Sequence, residues 1–152
     1  MFKMFRLMMA LSLGICCFSL VGCGSRQPVA TPESATLSKL NDVAELYRIY
    51  SITNKKPPKS KAEAAKMENA VPSGLTPIST GDIIVLWGGE LTDLNEEPTG
   101  PKSDTILAYE KDVPDKGGKV LLLDRNIKTM TPEEFAAAPK SAELAAEPAK
   151  KK

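Results

Sequence analysis

The chain has 152 residues, 26% of them charged, with 20 Lys and Arg against 19 Asp and Glu. That length suits one small domain with a single core, and a near-neutral balance without a basic, aromatic-interleaved patch excludes nucleic acid as an expected partner. Histidine is absent and cysteine occurs 3 times, which removes the commonest general base, the Ser-His and Cys-His pairings and nearly every catalytic zinc arrangement.

The chain opens with two cations, Lys3 and Arg6, followed by an uncharged apolar run from Leu7 to Val21 and then Gly22-Cys23. A charged start, a short apolar stretch and a small-residue end form the layout of a cleavable export signal. The run is shorter than the ~20 residues of a comfortable membrane span, and Ser12, Gly14 and Ser19 interrupt it. The alternative is an uncleaved anchor helix or a buried core helix. Leu20-Val21-Gly22-Cys23 resembles the lipobox of bacterial lipoproteins. The resemblance implies that residues 1–22 are a signal peptide and that Cys23 becomes the first mature residue. It would carry a diacylglyceryl group on its sulfur and a further acyl chain, such as palmitate, on its amino group. Each buried methylene is worth ~0.8 kcal/mol, and more than one chain is needed for a stable anchor. Cys16 and Cys17 would leave with the signal, so no disulfide and no Cys-based metal site is expected in the mature chain. The implied address is the cell envelope, with the protein held to a membrane by its lipid anchor on the periplasmic face. Gly24 stands where enteric lipoproteins of the inner membrane carry aspartate, which favours the outer membrane by analogy.

Residues 23–36 contain Ser25, Gln27, Pro28, Thr31, Pro32 and Ser34 and little that could be buried, so they are expected to form a flexible tether. Residues 37–138 are expected to form one domain. Residues 139–152, rich in Ala, Glu and Lys and ending in Lys150-Lys151-Lys152, read as a disordered or frayed tail. The lysine triplet either touches anionic headgroups or solubilises the end.

Within the domain, Leu37, Leu40, Val43, Ala44, Tyr47, Ile49 and Tyr50 recur at helical spacing and predict a long helix from about Leu37 to Thr53. Pro57-Pro58 stops it. Ser60 and Glu63 are spaced as a capping box and predict a second, shorter helix to about Ala70, closed by Val71-Pro72-Ser73-Gly74. Strands are predicted at 82–87, 105–110 and 119–124, with Arg125-Asn126 turning into a short strand at 127–130. Asn126 is the residue expected to take a positive φ there. Thr131-Pro132-Glu133-Glu134 is a second capping box opening a short helix. Helices first, then antiparallel strands, then a small helix give an α+β fold: a long N-terminal helix and a short one packed on a sheet of three to four strands. Ile83–Leu86 and Val120–Leu123 are apolar at consecutive positions, so both sheet faces need cover. The loops and second helix could supply it, or an envelope protein partner could dock on that sheet face; internal cover is the expectation.

Leu46-Tyr47-Arg48-Ile49-Tyr50, followed by Asn54-Lys55-Lys56-Pro57-Pro58, resembles the end of the long helix in pseudopilin-like proteins abundant in planctomycete bacteria. Ile106–Lys111 and Gly117–Asp124 resemble their C-terminal strand pair, and Thr131-Pro132-Glu133-Glu134-Phe135 the helix that follows. The chain departs from the family at the intervening turn, where Asp124-Arg125-Asn126 stands for Asp-Gly-His. It departs again at the N-terminus, where a lipobox and tether replace a prepilin site running into the long helix. The resemblance implies an assembly or scaffold role and carries over no catalytic residue. Filament assembly through a shared helix core does not fit a head moved onto a lipid anchor.

For chemistry, the loop 90–104 offers Glu90, Asp93, Asn95 and Glu97 as calcium-ligand candidates, since calcium takes six to eight oxygens from flexible loops. Some major pseudopilins hold calcium in a comparable loop. The spacing is not that of an EF-hand. Asp82, Glu90, Asp93 and Asp104 could pair for acid–base work, or serve as strand-end caps and turn residues. Ser73, Ser79 and Ser103 have no histidine to activate them, and Gly88-Gly89 and Gly117-Gly118 suit turns better than phosphate loops. Tyr47, Tyr50 and Trp87 are either core or an aromatic contact surface. The expected role is therefore non-catalytic, with no cofactor: an envelope lipoprotein whose head interacts or assembles. The alternative is binding of a small ligand or calcium through the loop 90–104.

Overall fold

The computed structural model describes residues 31–142. The signal region and Cys23 lie outside the described residues, as do 24–30 and 143–152. No helix among the described residues is long and apolar enough to cross a membrane.

Helix α1 spans Pro32–Asn54. It starts ahead of the expected Leu37, within the stretch read as tether, because Thr31 and Pro32 form a helix entry. The Thr31 hydroxyl accepts from the Ser34 amide at 3.1 Å, and proline at the first helical position has no amide to leave unpaired. The helix ends at Lys55, which takes the left-handed conformation with φ 58°. α2 is only Lys61–Ala64, extended by a 3-10 turn over Ala65–Met67. The Ser60 hydroxyl caps it by accepting from the Glu63 amide at 3.2 Å, while the Glu63 carboxylate accepts from Lys59 N at 2.9 Å rather than from Ser60. The expected box is thus displaced by a residue.

A helix that the sequence pattern did not announce, α3 at Pro72–Ser79, follows. Pro72 begins it instead of closing α2. Gly74 lets it approach α1: a Cβ there would lie 2.5 Å from the Asp42 carbonyl oxygen and 2.6 Å from Leu46 Cβ. Leu46, Ala64 and Leu75 fill the seam between α1, α2 and α3.

The strands β1 (Ile83–Val85), β2 (Ile106–Glu110), β3 (Gly118–Leu122) and β4 (Ile127–Met130) form one four-stranded sheet in the order β1-β2-β3-β4. Every pairing is antiparallel. β1, β2 and β3 are shorter than expected, and the polar link between β2 and β3 contains a short helix, α4, at Val113–Lys116. Helix α5, Pro132–Ala137, opens on Thr131 with the full reciprocal capping box to Glu134.

The run of consecutive apolar residues now has its reason. Residues of β2 and β3 divide between two cores on opposite faces of the sheet. Leu107, Leu121 and Leu123 join Ile83 and Val85 under Leu40, Val43 and Tyr47 of α1. On the opposite face Ile106, Val120, Leu122 and Met130 pack with Val113 of α4 and Phe135 of α5. Over β2 to β4 the second face is therefore covered internally, by α5 and by the β2–β3 link that carries α4 rather than by α2, while Ile84 of β1 remains 37% exposed on that face. Tyr109 of β2 meets Phe135 with ring centroids 4.7 Å apart. The chain beyond α5 also belongs to the fold: Pro139 accepts from the Ile106 amide at 2.8 Å, and Ser141 is fully buried. Residues 139–142, read from composition as tail, thus close the sheet beside the start of β2.

Candidate functional site

The loop after β1 is fastened to the β3–β4 turn by Arg125. Its guanidinium donates to Asp93 Oδ1 at 2.8 Å and to the carbonyls of Asn95 at 2.7 Å and Glu96 at 3.3 Å. Both side chains of the Arg125–Asp93 pair are largely buried, 8% and 13% exposed. Asp93 also accepts from the Asn95 amide at 3.1 Å and from the Gly100 amide. Burial pushes its carboxyl up, but the Gly100 and Asn95 amides and Arg125 together hold it below the usual carboxylate range. Arg48 adds a second fastening: it donates to the Leu94 carbonyl at 3.2 Å while gripping Glu45 at 2.7 and 2.8 Å. Its hydrogen bonds and charge keep the Glu45 carboxyl low.

This geometry counts against calcium. Asp93 already has both oxygens engaged, and the cation beside it is Arg125. Asn95 is turned to Thr99, donating at 2.8 Å, and Glu90 and Glu97 are exposed. Among the described residues no group of three or more Asp, Glu, Cys or His side chains gathers where a metal could sit. The acid–base candidates are dispersed too. Asp82 pairs with Lys39 at 2.8 Å and Asp104 with Lys128 at 2.7 Å. Ser73 donates to Asp42 at 3.2 Å, Ser79 is exposed, and Ser103 accepts from the Thr105 amide at 3.2 Å.

The aromatic candidates are core. Tyr47 and Tyr50 are buried, and Tyr47 stacks on Trp87 with centroids 6.3 Å apart. The Tyr47 hydroxyl donates to the Gly89 carbonyl at 2.9 Å and accepts from the Gly88 amide at 3.1 Å; its burial raises its pKa well above the ordinary tyrosine value. Gly88-Gly89 is thus a turn bound to α1. A Cβ at Gly89 would lie 2.5 Å from Ser141 Cβ.

Two of the clefts among the described residues flank this scaffold. One, of about 330 Å³, lies near the start of α1 and includes Thr36, Lys39, Asp82 and Glu110. Several of its polar groups are already paired: Lys39 with Asp82, Thr36 with Glu110 at 2.8 Å, and Glu110 with the Lys119 amide at 2.8 Å. The other is a groove of about 340 Å³ between the end of α1 and the loop after β1. Ile52, Pro57, Leu91 and Leu94 supply its apolar lining, and Lys55 and Lys56 line it beside Glu90. Leu94 is one of the exposed large apolar side chains, at 39%. Lys55 and Lys56 of the lining are exposed, as are Lys59, Lys61 and Lys66 farther along the chain. Among the described residues the salt bridges involve other cations, namely Lys39, Arg48, Lys116, Lys119, Arg125 and Lys128. The carboxylate in their midst, Glu63, is held by the Lys59 amide and by the Tyr50 hydroxyl at 3.2 Å. That amide bond first, and the nearby Lys56 and Lys66 charges, keep it low. The lysines were visible in the sequence as a cluster around Pro57-Pro58. Their meeting with Leu91 and Leu94 was not, because that contact joins segments far apart in the chain.

No protein-family model, curated protein or solved structure matches the chain.

Proposed function

We propose that this is a lipid-anchored cell-envelope protein whose pseudopilin-like head has a non-catalytic interaction or assembly role. The observation that carries the reading is the order of parts: Lys3 and Arg6, an apolar run, Leu20-Val21-Gly22-Cys23, and soon after it a folded head whose first helix is capped by Thr31. Acylation of Cys23 would then hold the start of α1 near the bilayer. The non-catalytic part is supported by chemistry. The chain has no histidine, and of the four acids that could have paired for proton transfer Asp82, Asp104 and Asp93 are engaged by Lys39, Lys128 and Arg125, while Glu90 is exposed. The pseudopilin likeness is supported by a long helix lying on a four-stranded antiparallel meander. It is also supported by the turn at Arg125, whose φ of 62° is a conformation that glycine, the residue of the resembled family at this place, adopts without strain.

Intact-mass measurement on protein taken from its native host tests the anchor. The expected product starts at Cys23 and carries acyl chains. A chain beginning at Met1, or one with an unmodified sulfur at Cys23, overturns the reading.

A further inference from the structure

We propose that the groove at the end of α1 docks an acidic, leucine-bearing segment of a partner protein. The proposal rests on the reading of the head as an interaction module; the acyl anchor enters only in the argument against a bilayer.

The groove offers an apolar lining from Ile52, Pro57, Leu91 and Leu94, with Lys55 and Lys56 beside it. Lys59, Lys61 and Lys66, which follow them in the chain, are exposed as well. Within the lining Glu90 is the one carboxylate facing Lys55 and Lys56; Glu63 is occupied by Lys59 N and Tyr50, and Glu68, Glu96 and Glu97 are exposed farther along the same segments. A ligand complementary to this surface carries carboxylates at its edges and aliphatic side chains at its centre. Anionic polymers of sugar or phosphate match the lysines but leave Ile52, Leu91 and Leu94 without a counterpart. A bilayer is disfavoured by position. α1 has 23 residues, so the groove sits about 34 Å along the helix from Pro32, the end that leads back to Cys23. The walls are already formed. Pro57 and Pro58 stiffen one side, and Arg48 and Arg125 hold the backbone carbonyls of Leu94, Asn95 and Glu96 on the other. Binding to such a groove needs little ordering of the receptor.

The test uses the full-length protein in non-ionic detergent micelles and a short fluorescein-labelled peptide of Glu, Leu and Ala, followed by fluorescence anisotropy. Binding is expected at low salt and should weaken as salt rises. Replacing the peptide leucines with serine should weaken it about tenfold or more, the effect of losing a buried aliphatic side chain. The double variant Lys55→Glu/Lys56→Glu and the single variant Leu94→Asp should each weaken it to a similar degree. These positions are exposed, so melting temperatures confirm that the variants fold. Three results overturn the proposal: equal binding of the serine peptide, which marks a bare polyanion patch; displacement of the peptide by phosphatidylglycerol added to the micelles, which marks a lipid-facing surface; and unchanged binding by the variants. An unacylated Cys23 would leave this binding result standing, and a failed titration would leave the anchor standing.

Discussion

At Arg125 the backbone takes φ 62°, a left-handed conformation that costs an L-residue with a Cβ roughly 1–2 kcal/mol. The strain persists because the side chain reaches Asp93 and the carbonyls of Asn95 and Glu96. The Asp124 carboxylate meanwhile accepts from the Asn126 amide at 3.1 Å and from its side-chain amide at 2.7 Å. Local turn chemistry pointed to Asn126 as the residue with positive φ. Arg125 takes that place instead because its partner lies in another loop, which no local pattern reveals. Backbone and side chain can be separated by two substitutions. Arg125→Ala and Arg125→Gly both remove the contacts to the loop, but only glycine also relieves the backbone. Arg125→Gly is therefore expected to be the more stable of the two by about 1 kcal/mol, read from urea denaturation midpoints at constant m-value. Equal midpoints would show that the turn stores no strain.

The loop between β1 and β2 behaves as an element of its own, because the pair Asp93–Arg125 fastens it to the β3–β4 turn. The Asp93 carboxyl is held below its ordinary range, so its charged form favours the folded state. The stabilisation is complete above the unfolded-chain pKa and disappears as pH falls through the lower folded value. Asp93→Asn keeps the shape and removes the charge. The gap in melting temperature between wild type and Asp93→Asn should be full at neutral pH, begin to close below about pH 4, and vanish in stronger acid. Glu45 and Asp82 are also held low, by Arg48 and Lys39 respectively, but both proteins share them and they cancel. A gap that stays constant into acid would mean that the charge contributes nothing. Elements differed in how plainly the sequence announced them. α1, β4 and α5 carried their own periodicity or caps, such as Thr131 with Glu134. α3 did not, because Pro72 and Gly74 resemble a terminator. Proline at a helix start and glycine at a close helix contact depend on what lies across the seam, here Asp42 and Leu46. The surroundings of the calcium candidates were hidden for a related reason: spacing shows carboxylates, but not the arginine that pairs with Asp93.

For the whole molecule, α1 covers one sheet face while α4 and α5 pack on the other, as the consecutive apolar residues of the strands require. The same two-sided packing decides where the head ends. Composition placed the boundary at Ala138, since Ala, Glu and Lys dominate beyond it. The structure places further residues in the fold. Ile106 is fully buried, and its amide has Pro139 as acceptor at 2.8 Å. The Ser141 hydroxyl donates to the Leu86 carbonyl. The Lys140 ammonium caps the end of α5, donating to the carbonyls of Phe135 at 3.1 Å and Ala138 at 3.0 Å, and lies 5.0 Å from the Phe135 ring centre. A chain ending at Ala138 strands the Ile106 amide in the core, while a chain ending at Ala142 keeps all these contacts. An unpaired buried donor costs about 1–3 kcal/mol, and the lost Ser141 bond adds about 1. The shorter chain should therefore melt on the order of 10 °C or more below the longer, given ~4–8 °C per kcal/mol for a domain of this size. Thermal unfolding of the two chains under one buffer decides it. Coincident melting curves would return the boundary to Ala138 and make Pro139–Ala142 an ornament on the sheet edge rather than its closure.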